Sequence, residues 1–467
     1  MNKLKIFGIF LILTVIVTGC SLGSGGGSSQ QAKPVTLEFW GVFDSSDAYK
    51  DIIVAYQTAR PNIKINYKKL HWGEYERELL EAWAEDRGPD MFLVHNDWIG
   101  KYQTKMSPMP AKLTVPVLIT TGSSFSKKTK TEVKKITSPT PDQIKKFFVD
   151  VVYRDVVRDG QVWGLPLSVD TLALFYNQTI LDSVGVVEVP KTWQEIVEAV
   201  KKVTRYDSEG NISRSAIAMG GANNILRSDD ILTLLMMQNG TTMVDSGGSI
   251  AFDDRSIYDN KLYPGIRALE FYTDFAMPMK DVYTWNSQFS EATDAFLQGK
   301  LAMMFGFSYQ LPYLKAQGPS LDLGIAPMVH INSDGTDSGG QSTNLADYWI
   351  LSGSKKTENI DEVWDFITFS TMNSYKDKTG QNIYQAESYL NKTLKPPALR
   401  GLINKYREDP LVGPFAYQAL SAKSWYQGKT PEHVESVFNQ AIRDILSGSK
   451  DYKDAIKYAA KAISSTY

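Results

Sequence analysis

The sequence predicts an α/β protein with largely parallel sheets, and three observations lead there. Short segments of strand periodicity lie at Val35–Trp40 and Ile63–Tyr67, and Asp90–Val94 reads as a buried strand. Helix-periodic segments over residues 47–59 and 74–86 separate them. No repeat of solenoid period interrupts this β-α-β-α-β order, which implies a sheet covered by helices.

Each element has a local reason. Val35 to Trp40 alternates apolar and polar residues, as a half-buried strand does. Ile52, Ile53, Ala55 and Tyr56 recur at helical spacing, and that helix must stop before Pro61. Ile63 to Tyr67 alternates again, and the charged amphipathic stretch Glu74–Asp86 is closed by Gly88-Pro89. Further on, Leu172–Asn177 reads as a strand, and Thr192-Trp-Gln-Glu195 matches a capping box ahead of Ile196, Val197, Val200 and Val203. Trp193, inside that box, is assigned to packing. A helix is expected near Asp230–Gln238, and another over Ser290–Gln298, ended by Gly299 and followed by the strand Leu301–Phe305. Asn359-Ile-Asp-Glu362 resembles a second capping box, and the last hundred residues read as helices separated by loops. Residues 104–147 break the rhythm. They are rich in Ser, Thr, Pro and Lys, with Lys127, Lys128, Lys130, Lys134 and Lys135 against a lone Glu132, and they read as a solvated loop. Docking to anionic headgroups or to a partner is the alternative reading.

Composition narrows the function classes. Charged residues make up 22% and hydrophobic ones 43%, a soluble balance. A net charge of −2 argues against nucleic acid as the main partner, because phosphate binding relies on clustered Lys and Arg. The four histidines, His71, His95, His330 and His433, show no HxxxH or HExxH spacing, so no metal or other cofactor is expected. Gly220-Gly221 and Gly247-Gly248 lack GxGxxG spacing and read as turns. Aromatic residues, at 12% with ten Trp and twenty-four Tyr, are the informative bias.

The N-terminus suggests an address. Lys3 and Lys5 precede the apolar stretch Ile6–Val17, which is too short to span a bilayer, where roughly 20 residues are needed. That stretch fits a secretory signal, and Val17-Thr-Gly-Cys20 looks like a bacterial lipoprotein signal whose cysteine takes a lipid. Cys20 is the only cysteine, so its lipidation leaves no thiol for a disulfide, a zinc site or a nucleophile. Residues 1–19 are then the signal peptide. Residues 20–33, with Ser21–Gln31 nearly all Ser, Gly and Gln, are then a flexible linker on the outer face of a membrane. Whether the envelope has one membrane or two is left open.

Four segments carry a family resemblance. They are Gly88–Trp98 (GPDMFLVHNDW), Gly164–Asn177 (GLPLSVDTLALFYN), Pro190–Glu195 (PKTWQE) and Ala295–Gly306 (AFLQGKLAMMFG). In this order and spacing they resemble the extracellular solute-binding proteins of ABC importers, in the sugar-binding family that includes maltose-binding protein. The 104–147 stretch departs from that family in length and charge, and the C-terminal helices match it only loosely. The resemblance implies a periplasmic-binding-protein-like class II fold, with two α/β lobes joined by a three-segment hinge. Crossings are expected near Leu165–Ser168, Phe305–Tyr309 and Trp349–Gly353. Lobe one would hold 34–165 and 307–350, and lobe two 166–306 and 351–467. The chain is expected to act as a monomer, delivering its ligand to the transmembrane subunits of a permease.

A neutral sugar offers hydroxyls and an apolar C–H face, so its site needs carboxylates or amides together with flat rings. The resemblance places an acidic ligand residue at Asp170 and another at Asp97, with His95, Asn96 and Trp98 beside it. Asp44, just after the first strand, is a further candidate. Tyr309 matches the position of a stacking ring, and Trp425 falls where the family often places another. Tyr75, Tyr348, Trp40 and Trp349 are lesser candidates, because a Trp or Tyr inside an apolar stretch is more often core. A non-enzymatic binder of a mono- or oligosaccharide is the leading reading. A surface adhesin or sensor with the same fold is an alternative, as is a glycosidase using Asp97 and Asp170.

Overall fold

The computed structural model describes residues 33–121, 128–256, 262–338 and 342–467. The signal segment, Cys20 and nearly all of the linker lie outside the described residues. None of the described helices is long and apolar enough to cross a membrane.

Two hydrophobic cores divide the chain. The first forms around a sheet ordered Ile63–Leu70, Val35–Val42, Met91–His95, Trp349–Ser354 and Met106–Ser107, with Leu165–Pro166 also on Trp349–Ser354. The first three strands are parallel, as the β-α-β-α-β reading requires, and Trp349–Ser354 runs antiparallel to Met91–His95. The second sheet is ordered Arg205–Tyr206, Ile212–Ile217, Leu301–Gly306, Ala173–Asn177 and Leu323–Pro327. It is mixed, because Ala173–Asn177 runs antiparallel to both of its neighbours. Fully buried Trp364 anchors the first core and Trp285 the second.

Between them lies a small sheet of three segments, Asp170–Thr171, Asn344–Asp347 and Ala422–Lys423, one for each passage of the chain from lobe to lobe. The first passage lies just after Leu165–Ser168. The other two lie away from the expected crossings. Phe307, Leu311, Leu314 and Val329 pack in the second core, so no crossing occurs at Phe305–Tyr309. Val363, Phe366, Leu390 and Leu402 pack in the first core, so residues 351–412 do not belong to lobe two. The physical reason is long-range: the helix Ile360–Met372 turns back from Ser354 and covers the first sheet with its apolar face. Only after Ala422–Lys423 does the chain enter lobe two for good, with Val434, Phe438 and Ile442 in its core.

Two local expectations are also corrected. In the 104–147 stretch the described residues include two strands in place of a loop, Lys112–Thr121 and Lys128–Thr137, paired antiparallel along their length. Leu113, Val115, Val117 and Ile119 fall on one face by period-two alternation, and Leu113 and Val115 are buried in the first core. The Thr192 box forms, its hydroxyl accepting from Glu195 N–H, whereas Asn359 makes no side-chain cap.

Candidate functional site

The carboxyl ends of the parallel strands in the first sheet point at the second lobe, the position where open α/β sheets bind ligands. Strand Val35–Val42 delivers Phe43, strand Ile63–Leu70 delivers Trp72, and strand Met91–His95 delivers Asp97 and Trp98. Trp349 enters opposite His95 in the register. These side chains form one aromatic wall. Phe43 stacks on Trp72 with ring centres 5.3 Å apart, and Trp72 stacks on Trp98 at 5.6 Å. Trp349 meets all three edge-on at 5.6–5.8 Å. Phe43 and Trp72 leave 50% and 48% of their surface exposed, while Trp98 is buried behind them.

Two carboxylates hold a histidine at the foot of this wall. His95 lies 2.5 Å from Asp97 Oδ1 through Nδ1 and 2.6 Å from Asp347 Oδ1 through Nε2. Both ring nitrogens face acceptors, the arrangement of an imidazolium that donates twice. Burial lowers its pKa, but Asp97 and Asp347 outweigh burial and push His95 up to about 10. Asp347 then spans the lobes, because its Oδ2 accepts from Arg227 at 2.5 Å. Burial would raise the Asp347 carboxyl, but Arg227 and His95 hold it well below the usual carboxylate range. Arg227 also bonds Asp230 and lies 5.3 Å from the Phe307 ring centre, and Phe307 stacks on half-exposed Tyr309 at 5.9 Å. Phe43 and Arg227 both adopt left-handed backbone, at φ 63° and 61°. Such strain in non-glycine residues recurs at ligand sites; Asp86, Asp159 and Leu394 share the conformation elsewhere in the described chain.

The other expected residues have different places. Asp170 is buried, and its four acceptor sites are filled: Oδ1 by Thr171 and Ser308 N–H, Oδ2 by Ser308 Oγ–H and Tyr309 N–H. It therefore ties the Tyr309 segment to the crossing sheet and has no lone pair left for a sugar hydroxyl. Burial pushes it up to about 7 despite these donors. Asp44 pairs with Lys395 at 2.8 Å and accepts from Tyr389 at 2.7 Å, inside lobe one. Together they wall a cavity of about 20 Å³, room for one water and no more. Tyr75 is fully buried and its hydroxyl serves the Leu93 backbone, donating to O and accepting from N–H. Tyr348 is equally buried and donates to Asp155 at 2.6 Å. Trp425 packs on Phe252 and Phe438 in the second core.

Asn96 belongs to a contact between the lobes. Its side chain accepts from Tyr348 N–H and donates to Ser424 Oγ, which in turn donates to Asp155. Gln427 also donates to Asp155, and Lys101 pairs with Glu432 at 2.7 Å. Gly100 lies so close that a Cβ would meet the Gln427 and Gly428 carbonyls at 2.5 Å. Phe43, Trp72, Arg227, Asp230 and Asp347 were not foreseen. Trp72 was nearest to being legible, as an aromatic two residues past a strand end. Arg227 and Asp347 carry no local signal at all.

Two α/β lobes, three passages between them and strand ends facing across a cleft are the architecture of a solute-binding protein. Residues 43–376 match the bacterial extracellular solute-binding protein family, and the chain belongs to that family. A galactooligosaccharide-binding protein of Bacillus subtilis is 20% identical over 471 aligned residues, covering 98% of this chain and 96% of its own. A maltotriose-binding protein of Pyrococcus abyssi is 21% identical over 338 residues, covering 70% of this chain and 59% of its own. Among solved structures, a cyclic α-maltosyl-1,6-maltose binding protein from Arthrobacter globiformis shares the fold with a TM-score of 0.69. It is 16% identical, and the match covers 92% of this chain and 98% of that one.

Proposed function

We propose that this protein captures a neutral mono- or oligosaccharide between its lobes, outside the cytoplasm, and presents it to an ABC-type permease. The observation that carries this reading is the half-exposed Phe43–Trp72 pair facing a hydrogen-bonding network shared by both lobes. Ring faces of this kind match the C–H face of a sugar. Asp97, which uses Oδ1 for His95, has its second oxygen for hydroxyls, and Arg227, Asp230 and Tyr309 face them from lobe two. Carboxylates Asp97, Asp230 and Asp347 outnumber the cations His95 and Arg227, which disfavours a phosphorylated or acidic ligand. The names of the relatives, which bind galactooligosaccharide and maltotriose, point the same way.

Binding is proposed without turnover. A glycosidase built on Asp97 and Asp170 would need both carboxyl groups available across one gap, and the acceptor sites of Asp170 are already filled. Closure follows from differential affinity: a ligand touching both lobes favours the arrangement in which both reach it. Attachment to the membrane through a lipid on Cys20 completes the proposal.

Calorimetry against a library of neutral oligosaccharides tests it. Saturable binding with intact ligand recovered is expected. Trp72→Ala should weaken binding roughly 10–30-fold, the equivalent of losing about 1.4–2 kcal/mol of ring contact, and Trp72→Phe should restore most of it. Cleavage of the sugar, or no binding across the library, would overturn the reading.

A further inference from the structure

The β-ribbon of strands Lys112–Thr121 and Lys128–Thr137 plays no part in the cleft. Residues 112–137 contain six lysines and one glutamate, a charge of +5 in a chain whose net charge is −2. The rest of the protein therefore carries −7, and the ribbon is a basic projection on an acidic body.

Its two faces differ. The register puts Leu113 opposite Ile136 and Val115 opposite Lys134 on the face that packs into the first core. The other face carries Lys112 and Lys135, with Leu118 and Val133 as diagonal neighbours left 41% and 43% exposed. Lys134 is exposed as well. Lysines flanking exposed aliphatic side chains are the chemistry of a bilayer surface, where cations meet anionic headgroups and the aliphatics enter the interface. A soluble polyanion would use the lysines and leave Leu118 and Val133 without a role.

The ribbon's placement agrees. Thr114 N–H donates to Asp361 at 2.9 Å, at the start of the helix that follows Ser354. This is the end of the first sheet where Val35 enters, opposite the end that bears Phe43, Trp72 and His95. Twelve residues, or thirteen steps along the chain, separate Cys20 from Lys33, a covalent reach of at most about 45 Å. A lipid on Cys20 would hold this end of the protein near the bilayer.

We propose that the outer face of the ribbon docks on anionic phospholipid headgroups and orients the protein on the membrane. The argument from placement rests on the membrane attachment proposed above, whereas the test does not. The full chain carrying Cys20→Ser is sedimented with vesicles of pure phosphatidylcholine and with vesicles containing about 30% phosphatidylglycerol. The N-terminal segment is common to all variants, and its contribution is read from the phosphatidylcholine arm. Partition on anionic vesicles is expected to exceed that on neutral ones at least fivefold. The excess should vanish in about 0.5 M salt and in K112E/K135E, and L118S/V133S should at least halve it. Circular dichroism melts confirm folding, and the conservative double Lys→Gln set should give an intermediate loss. Equal partition on both vesicle types overturns the proposal, as does an unchanged K112E/K135E variant. So does heparin binding as strong as vesicle binding with no effect of L118S/V133S. Sugar calorimetry on the same variants should be unaltered, so failure here is distinguishable from failure of the binding reading.

Discussion

His95 makes stability depend on pH in a way that can be worked out from its two partners. The unfolded chain titrates this group near 6.5, whereas Asp97 and Asp347 carry the folded one up to about 10. A base whose folded pKa lies above its unfolded value contributes stability in full below 6.5, and that contribution is lost as pH rises through about 10. At about 1.4 kcal/mol per pH unit the interval corresponds to roughly 4–5 kcal/mol. The depressed Asp347 carboxyl is the other half of the same interaction and is not added to it. Urea unfolding of the wild-type chain between about pH 6 and 10.5 should show this loss, on top of a background common to both proteins. His95→Gln should start lower, by up to that amount or roughly 4–6 °C in Tm, and should lack the additional slope. The two curves should converge at the alkaline end. Parallel curves across the whole range would mean that His95 is not charged in the folded protein, and the account of the His95–Asp347–Arg227 bridge would fall with it.

Three further outcomes are expected. Asp170→Ala strands four buried donors and should cost about 2–4 kcal/mol of stability in a thermal melt; an unchanged Tm together with lost sugar affinity would return Asp170 to the ligand. Gly100→Ala should disturb the seat of the Gln427-Gly428 carbonyls, which small-angle scattering would report as a more open apo-protein; an unaltered scattering curve would show that this contact does not set lobe spacing. Cys20→Ser should release the protein or leave an unprocessed precursor in membrane fractionation; fully processed, membrane-bound protein would exclude lipidation there.

The sequence by itself determined whatever depends on neighbours along the chain. Period-two runs named the parallel strands at Val35 and Ile63, a continuous apolar run named the one at Met91, and the Thr192–Glu195 cap was readable because both partners lie three residues apart. The family resemblance pointed to Asp97 with His95 beside it, at the end of the strand Met91–His95. Tertiary structure decided which of the candidates were free to meet a ligand. Asp170 and Asp97 look alike in sequence, yet one has its acceptor sites filled by Ser308 and Tyr309, 138 and 139 residues away, and the other keeps an oxygen. His95 gains its charge from Asp347 at a separation of 252 residues, and Asp44 is occupied by Lys395 at 351. The assignment of residues 351–412 to lobe one likewise followed from which sheet the apolar face of Ile360–Met372 could cover. Hydrogen-bonding capacity and core membership are set by whatever arrives from elsewhere in the chain, and local periodicity carries no record of that arrival.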